Sequence, residues 1–207
     1  MPQERVKTRT SLDRSDWIHA ALDVLADKGL DGLRVEVLAK AFGVTKGSFY
    51  WHFKDRQDLL SAVLTLWKEG RIKDIIKQTT AAPGRTLPQI YHVIEVYSAA
   101  RSRKGMNIEL AIRDWARRDP EAAAVVEEVD RWRLECASRL FIECGLPEKE
   151  AKSRSLLLYA YVFGQSLMVF DQYDADVPSL QSWIADVITL PTPPAFPAGN
   201  AVPATQS

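Results

Sequence analysis

Phe42-Gly43-Val44-Thr45 constrains this chain more than any other segment, because it closes one helix and opens the next within four residues. Gly43 can enter positive φ without the clash a Cβ would bring, so the helix before it can end in a left-handed turn. Thr45 is a favoured N-cap, and its hydroxyl can accept a free backbone N–H of a helix starting at Lys46. Before the turn, Val35, Leu38 and Ala39 give an apolar face at helical spacing; after it, Phe49 and Phe53 point inward as anchors. A helix from about Asp13 to Lys28, with Trp17, Ile18, Ala21, Leu22 and Leu25 on one stripe and Gly29 as its stop, should pack across both. This is the pattern of a helix-turn-helix.

The second helix is short, and Thr45, Lys46, Gly47, Ser48, Tyr50, Trp51 and His52 give it small or hydrogen-bonding side chains. Such a surface can approach a duplex closely. The run Gly43-Val44-Thr45-Lys46-Gly47-Ser48-Phe49-Tyr50-Trp51-His52-Phe53-Lys54 resembles the recognition-helix signature of the tetracycline-repressor (TetR) family of bacterial transcription regulators. Upstream, Ala20-Ala21-Leu22, Leu25 and Gly29 are similar to that family's first helix, and Val37 to Ala39 with Gly43-Val44 to its second. The likeness covers roughly residues 13 to 60. It departs from the family at the start of the fourth helix, where Arg56 replaces the usual lysine and keeps the cation with a different geometry.

The resemblance implies that Thr45, Lys46 and Ser48 face base edges or nearby phosphates, with Gly47 and Trp51 beside them, while Tyr50, His52, Lys54 and Arg56 fix the sugar–phosphate backbone. The chemistry agrees. Lysine donates to guanine O6 and N7, hydroxyls serve base or phosphate, and phosphate contacts set register without reading sequence. Charge alone would not have led there: Lys+Arg and Asp+Glu both number 27, so net charge is zero. Residues 1 to 56 carry an excess of two positive charges, and Lys40 to Arg56 holds four basic residues against one acid.

Beyond the turn the chain reads as helical nearly throughout, giving an all-α fold of about nine helices. A fourth helix from about Asp55 to Lys77 inherits the stripe Leu59, Leu60, Val63, Leu64 and Trp67. Pro83-Gly84 marks a loop, Pro88 opens a helix, and Gly105 separates it from one bearing Ile108, Ala111, Ile112 and Trp115. Asp119-Pro120-Glu121 is a strong start signal, and that helix ends at Gly145. Leu156 to Phe170, within a helix from about 148 to 172, is apolar on nearly every side, which predicts burial on all faces. Pro178 opens a last helix to about 190. The division expected is a DNA-binding domain over 1–56 with a flexible arm over 1–10, a helical effector-binding and dimerisation domain over 57–190, and a disordered tail over 191–207, where five of eleven prolines fall.

In the second domain Trp67, Tyr97, Met106, Trp115, Trp132, Tyr159, Phe163 and Met168 could line an apolar cavity, with Asn107, Glu109, Arg113 or Gln165 orienting a ligand. Each aromatic at helical spacing is equally a core residue, and Glu109 with Arg113 is equally an i,i+4 pair. The family resemblance implies that such a pocket exists, and that the last two long helices form a four-helix homodimer interface. Leu156, Leu167, Phe170, Leu180, Trp183, Ile184 and Val187 are the residues expected there.

Cys136 and Cys144 have neither metal nor disulfide-framework spacing, and His19, His52 and His92 are scattered. No phosphate loop or nucleophile elbow occurs, so no enzyme, cofactor or metal is expected. No signal sequence opens the chain, and Leu156 to Gly164 is too short for a bilayer that needs about 20 residues. The expectation is a cytoplasmic dimeric regulator, with an operator in double-stranded DNA, a small-molecule effector and no membrane partner. Repression is the commoner outcome in proteins of this kind. Activation by the same fold, or a helical adaptor working through protein contacts with the Pro-rich tail as docking segment, are the alternatives.

Overall fold

Nine α-helices, and no strand, occur among the residues 12–98, 103–168 and 172–190 described by the computed structural model. They are α1 (Arg14–Gly32), α2 (Val35–Phe42), α3 (Lys46–Tyr50), α4 (Arg56–Thr79), α5 (Thr86–Ser98), α6 (Arg103–Ala116), α7 (Pro120–Glu143), α8 (Glu148–Leu167) and α9 (Val177–Thr189). The expected N-terminal arm, the Pro-rich tail, Phe170 and the Tyr97 side chain lie outside the described residues. The chain forms two compact units, one of Met1–Asp74 with Arg101–Trp132 and one of Ile75–Ala100 with Arg133–Ser207. The divisions fall inside α4, between α5 and α6, and inside α7.

In the first unit, α1 opens with a capping box. Asp13 accepts from the Asp16 amide at 2.9 Å while Asp16 accepts from the Asp13 amide at 2.8 Å, which satisfies donors the helix would leave free. Gly29 breaks the helical path at φ 64°, ψ −172°, as its expected stop, and a further turn follows to Gly32. Trp17, Ala21 and Leu25 are fully buried on the inner stripe. Helix α6 packs along α1, and Lys104 pairs with Asp23 at 2.6 Å. From α4, Leu59, Leu60, Val63, Leu64 and Trp67 are buried, as their spacing predicts. Arg113 is held by Glu109 at 2.9 Å and by both carboxylate oxygens of Asp130.

The second unit surrounds a mainly aliphatic core in which Ile90, Val93 and Ile94 of α5 meet Leu140 and Phe141 of α7, Leu158 and Val162 of α8, and Ile188 of α9. Two polar contacts fix α9 here. The Tyr91 hydroxyl donates to Asp186 at 2.6 Å. Arg154 donates to the carbonyls of Val187, Ile188 and Leu190 at 3.3, 2.9 and 2.8 Å, capping the helix end where backbone acceptors have no helical partner.

Three expectations need correction. Gly105 lies in the first turn of α6 rather than ahead of it, where a missing side chain costs a helix least. Helix α8 ends at Leu167, five residues early, with Met168 extended. Nor is it buried all round: Ala151, Ser155, Leu158, Tyr159 and Val162 turn inward, but Leu156, Leu157 and Leu167 are 61%, 49% and 67% exposed in the single chain. Its apolar circumference exceeds what one copy covers.

Candidate nucleic-acid interface

Five residues are too few for a helix to hold in water on its own, so α3 is shaped by what it packs against. Its one buried side chain is Phe49, fully enclosed. Trp17 meets Phe49 edge-on with centroids 5.5 Å apart and meets Phe42 of α2 at 5.1 Å, while Phe53 stacks on Phe49 at 5.1 Å. Phe49 and Phe53 are thus the anchors expected of them. Gly43, at φ 66° and ψ 30°, closes α2 with its amide on carbonyls of Ala39 and Lys40.

A clamp that the sequence did not announce completes the frame. Arg14, the first residue of α1, donates from Nη1 to the His52 carbonyl, pairs through Nη2 with Asp58 of α4 at 2.7 Å, and lies over the Phe53 ring at 4.2 Å. Asp58 also accepts from the Lys54 amide at 3.0 Å. The hydrogen bond from Arg14, then that amide, holds the Asp58 carboxyl below the usual carboxylate range. The partners lie 38 and 44 positions apart, so no local pattern could have found the clamp.

Around this frame the expected contact residues are placed as follows. Thr45, Lys46, Gly47, Tyr50, Trp51 and Lys54 are exposed along one edge, with Ser48 and His52 half-buried. Trp51, at 87% exposure, packs on nothing of consequence and belongs to the outer surface. Thr45 has the extended backbone of an N-cap, yet its hydroxyl makes no capping bond. Its carbonyl instead accepts the Ser48 amide at 3.1 Å, which leaves the hydroxyl for an outside partner. Gly47 has no internal need to be glycine: an added Cβ would meet only Thr45 Oγ1, at 3.5 Å. Lys46 pairs with Glu36 on α2, a partner sequence reasoning overlooked. Arg56, expected at phosphate, donates from Nε to the Leu33 carbonyl at 2.9 Å and from Nη2 to that of Leu30 at 3.3 Å, tying α4 to the end of α1.

This domain has known counterparts. Residues 18–63 match the family described as bacterial regulatory proteins, tetR family. That segment, α1 to the start of α4, is a TetR-type domain. Within that family's reach, the chain is 30% identical over 91 residues to the HTH-type transcriptional regulator AcrR of Shigella flexneri, covering 44% of this chain and 42% of that protein. It is 43% identical over 54 residues to the class A tetracycline repressor protein from transposon 1721 of Escherichia coli, covering 26% and 25%. The match therefore spans less than half of either relative. In fold the likeness extends further. A transcriptional regulator from Rhodococcus sp. Rha1 superimposes with a TM-score of 0.65 at 21% identity, over 86% of this chain and 94% of the other. One from Saccharomonospora viridis, solved in complex with choline, gives 0.67 at 15% identity over 84% and 93%.

The expected effector residues are placed in different units of the chain. Trp67, Met106, Asn107, Arg113, Trp115 and Trp132 belong to the first, with Trp67 and Trp115 buried and Trp132 half-buried. Tyr159, Phe163 and Gln165 belong to the second, where Tyr159 is core and Phe163 lies 5.3 Å beneath the Arg133 guanidinium. The second unit also has a groove of about 800 Å³ between α8 and α9, lined by Tyr161, Gln165, Met168, Leu180, Gln181 and Ile184 among others. Its chemistry is mostly apolar, and the Tyr161 hydroxyl is buried there with no hydrogen-bond partner. Gln165 and Met168 were expected at a ligand and Leu180 and Ile184 at a dimer face; Tyr161 and Gln181 were missed because a tyrosine and an amide on long apolar helices carry no local signal.

Among the described residues no helix is long and apolar enough to cross a membrane, and no cluster of His, Cys, Asp and Glu could hold a metal.

Proposed function

We propose that the chain is a DNA-binding transcriptional regulator, a repressor that grips a palindromic operator as a homodimer and releases it when a small molecule binds. The observation that carries this reading is the exposed edge of α3. Gly47, in the first turn of α3, leaves that edge without a side chain. At Gly47 neither backbone angle nor packing demands a glycine, and the bare backbone there is open to close approach by a duplex. Thr45 with an unspent hydroxyl, Lys46, Ser48 and Tyr50 flank that gap with groups that suit base edges and phosphates. His52 and Lys54 continue the polar edge.

A dimer is needed because one helix-turn-helix covers one half-site, and two must stand about 34 Å apart to enter successive major grooves. The exposed leucines 156, 157 and 167 on α8 supply apolar surface for that association. Trp183 and Val187, half-buried on α9, extend it. The effector reading draws on the groove in the second unit and on the choline-bound relative in fold. Helix α4 has residues in both units and offers the path by which occupancy could change DNA affinity.

Selection of bound duplexes from random DNA tests the proposal. A two-fold symmetric motif, bound more weakly as salt rises, is the expected result, and Lys46→Ala should relax discrimination at one position by about 1–3 kcal/mol. An asymmetric motif or a monomer in sedimentation at micromolar concentration would count against the dimer; equal relative affinity of the variant for operator and random DNA would remove Lys46 from the reading role.

A further inference from the structure

We propose that Glu36 is a specificity-determining residue that acts with Lys46 to read one G·C base pair in each half-site. The inference rests on the DNA-binding reading above. Glu36 sits in the first turn of α2 and Lys46 is the first residue of α3, so the turn at Gly43 brings an acid and a base ten positions apart into one ion pair. Both side chains are more than half exposed, at 57% and 58%, so an incoming ligand can reach either. The hydrogen bond from Lys46 keeps the Glu36 carboxyl below the usual glutamate range, and Arg34 adds to that, so the group meets DNA as an anion. Arg34, Glu36, Val37 and Lys40 rim a shallow hollow of about 290 Å³ on the same side. Glu36 is the acid among these cations.

A carboxylate at this place opposes binding to any polyanion unless it receives something in return. Ionised, it can only accept hydrogen bonds. In the major groove the donor that glutamate takes is cytosine N4, while lysine takes guanine O6 and N7. When Lys46 leaves Glu36 for guanine, a cytosine amino group can replace the ammonium, and both partners stay satisfied. When Lys46 instead swings to a phosphate on unrelated sequence, Glu36 is left charged, unpaired and close to phosphates. The pair therefore discriminates mainly by penalising wrong sequences, a device that raises specificity at the expense of affinity.

The test uses the full-length protein and its Glu36→Gln variant, which keeps the size and polarity of the side chain at an exposed position. Binding by fluorescence anisotropy is measured, across a salt series, to the selected operator, to operators in which each G·C pair in turn becomes A·T, and to a random duplex. Wild type should lose about tenfold or more in affinity at one G·C pair per half-site. Glu36→Gln should lose most of that preference while binding the random duplex several-fold more tightly. Lys46→Ala should then cost less in the Glu36→Gln background than alone, because the two act as a unit. If the variant tightens on every duplex alike and keeps each base preference, Glu36 is only a surface charge and the inference falls. A selected motif without a G·C pair common to both half-sites overturns it too. Those results leave the DNA-binding reading standing; absence of salt-sensitive duplex binding by wild type removes both.

Discussion

The unit that holds the helix-turn-helix packs α1 to α3 around aromatic rings, Trp17, Phe42, Phe49 and Phe53, whereas the other unit packs around mainly aliphatic side chains of α5, α7, α8 and α9. Their surfaces differ in the opposite sense. The first turns a polar edge outward, Thr45 to Lys54, and the second leaves leucines of α8 exposed. Rings suit the first task because few, large, rigid groups can fix a helix too short to fix itself. Long helices in the second unit need no such anchors and can spend apolar residues on both an interior and an outer face.

The contrast is most easily broken at Phe49. Phe49→Ala removes the single buried side chain of α3 and should cost about 3–5 kcal/mol in urea unfolding, with loss of duplex binding. A cost under about 1 kcal/mol would mean that the aromatic cluster does not set the fold of that unit. On the other side, Arg154→Met leaves three carbonyls at the end of α9 without their guanidinium, and should cost about 1.5–3 kcal/mol in the same measurement. Its side chain is only 14% exposed, so solvent can replace little of that contact. Lys54→Ala should be silent in unfolding yet lower the slope of log affinity against log salt by about one unit, on operator and random DNA alike. An effect confined to the operator would make Lys54 a reader.

The smallest effects appear at opposite ends of the pH scale. Tyr91 in the second unit is pushed up to about 12, first by burial and then by its bond to Asp186. Its protonated form is the native one, so its contribution is complete below the ordinary tyrosine value near 10 and is lost as pH rises through about 12. Melting temperatures of wild type and Tyr91→Phe should differ by a constant amount to about pH 10 and converge above it. Asp58 in the first unit is held low by Arg14, so its contribution is present at neutral pH and is lost as pH falls below the ordinary value of 3.8. Asp58→Asn should therefore converge with wild type in acid instead. The same end of the scale for both variants would refute the assignment.

Legibility follows the same division. Gly43, the stripe of Trp17, Ala21 and Leu25, and the inward Phe49 are local signals, and each is found where spacing puts it. The Arg14 clamp and the Glu36–Lys46 pair join positions that only folding brings together, so spacing was silent on both. Arg56 carries a role that spacing did not announce: besides offering a cation at a helix start, it donates to the carbonyls of Leu33 and Leu30. In the second unit, helix existence was readable from period and start signals, such as Pro178 in the first turn of α9. Which side of α8 faced inward was not, because leucines lie all round it.

Since Phe49 is the one buried side chain of α3, and the Arg14 clamp grips the chain beyond it, the exposed positions of that helix carry little folding obligation. Exchanging Lys46, Ser48 or Tyr50 can redirect the protein to another target at little thermodynamic penalty, which is how a single scaffold can diversify while its architecture stays put.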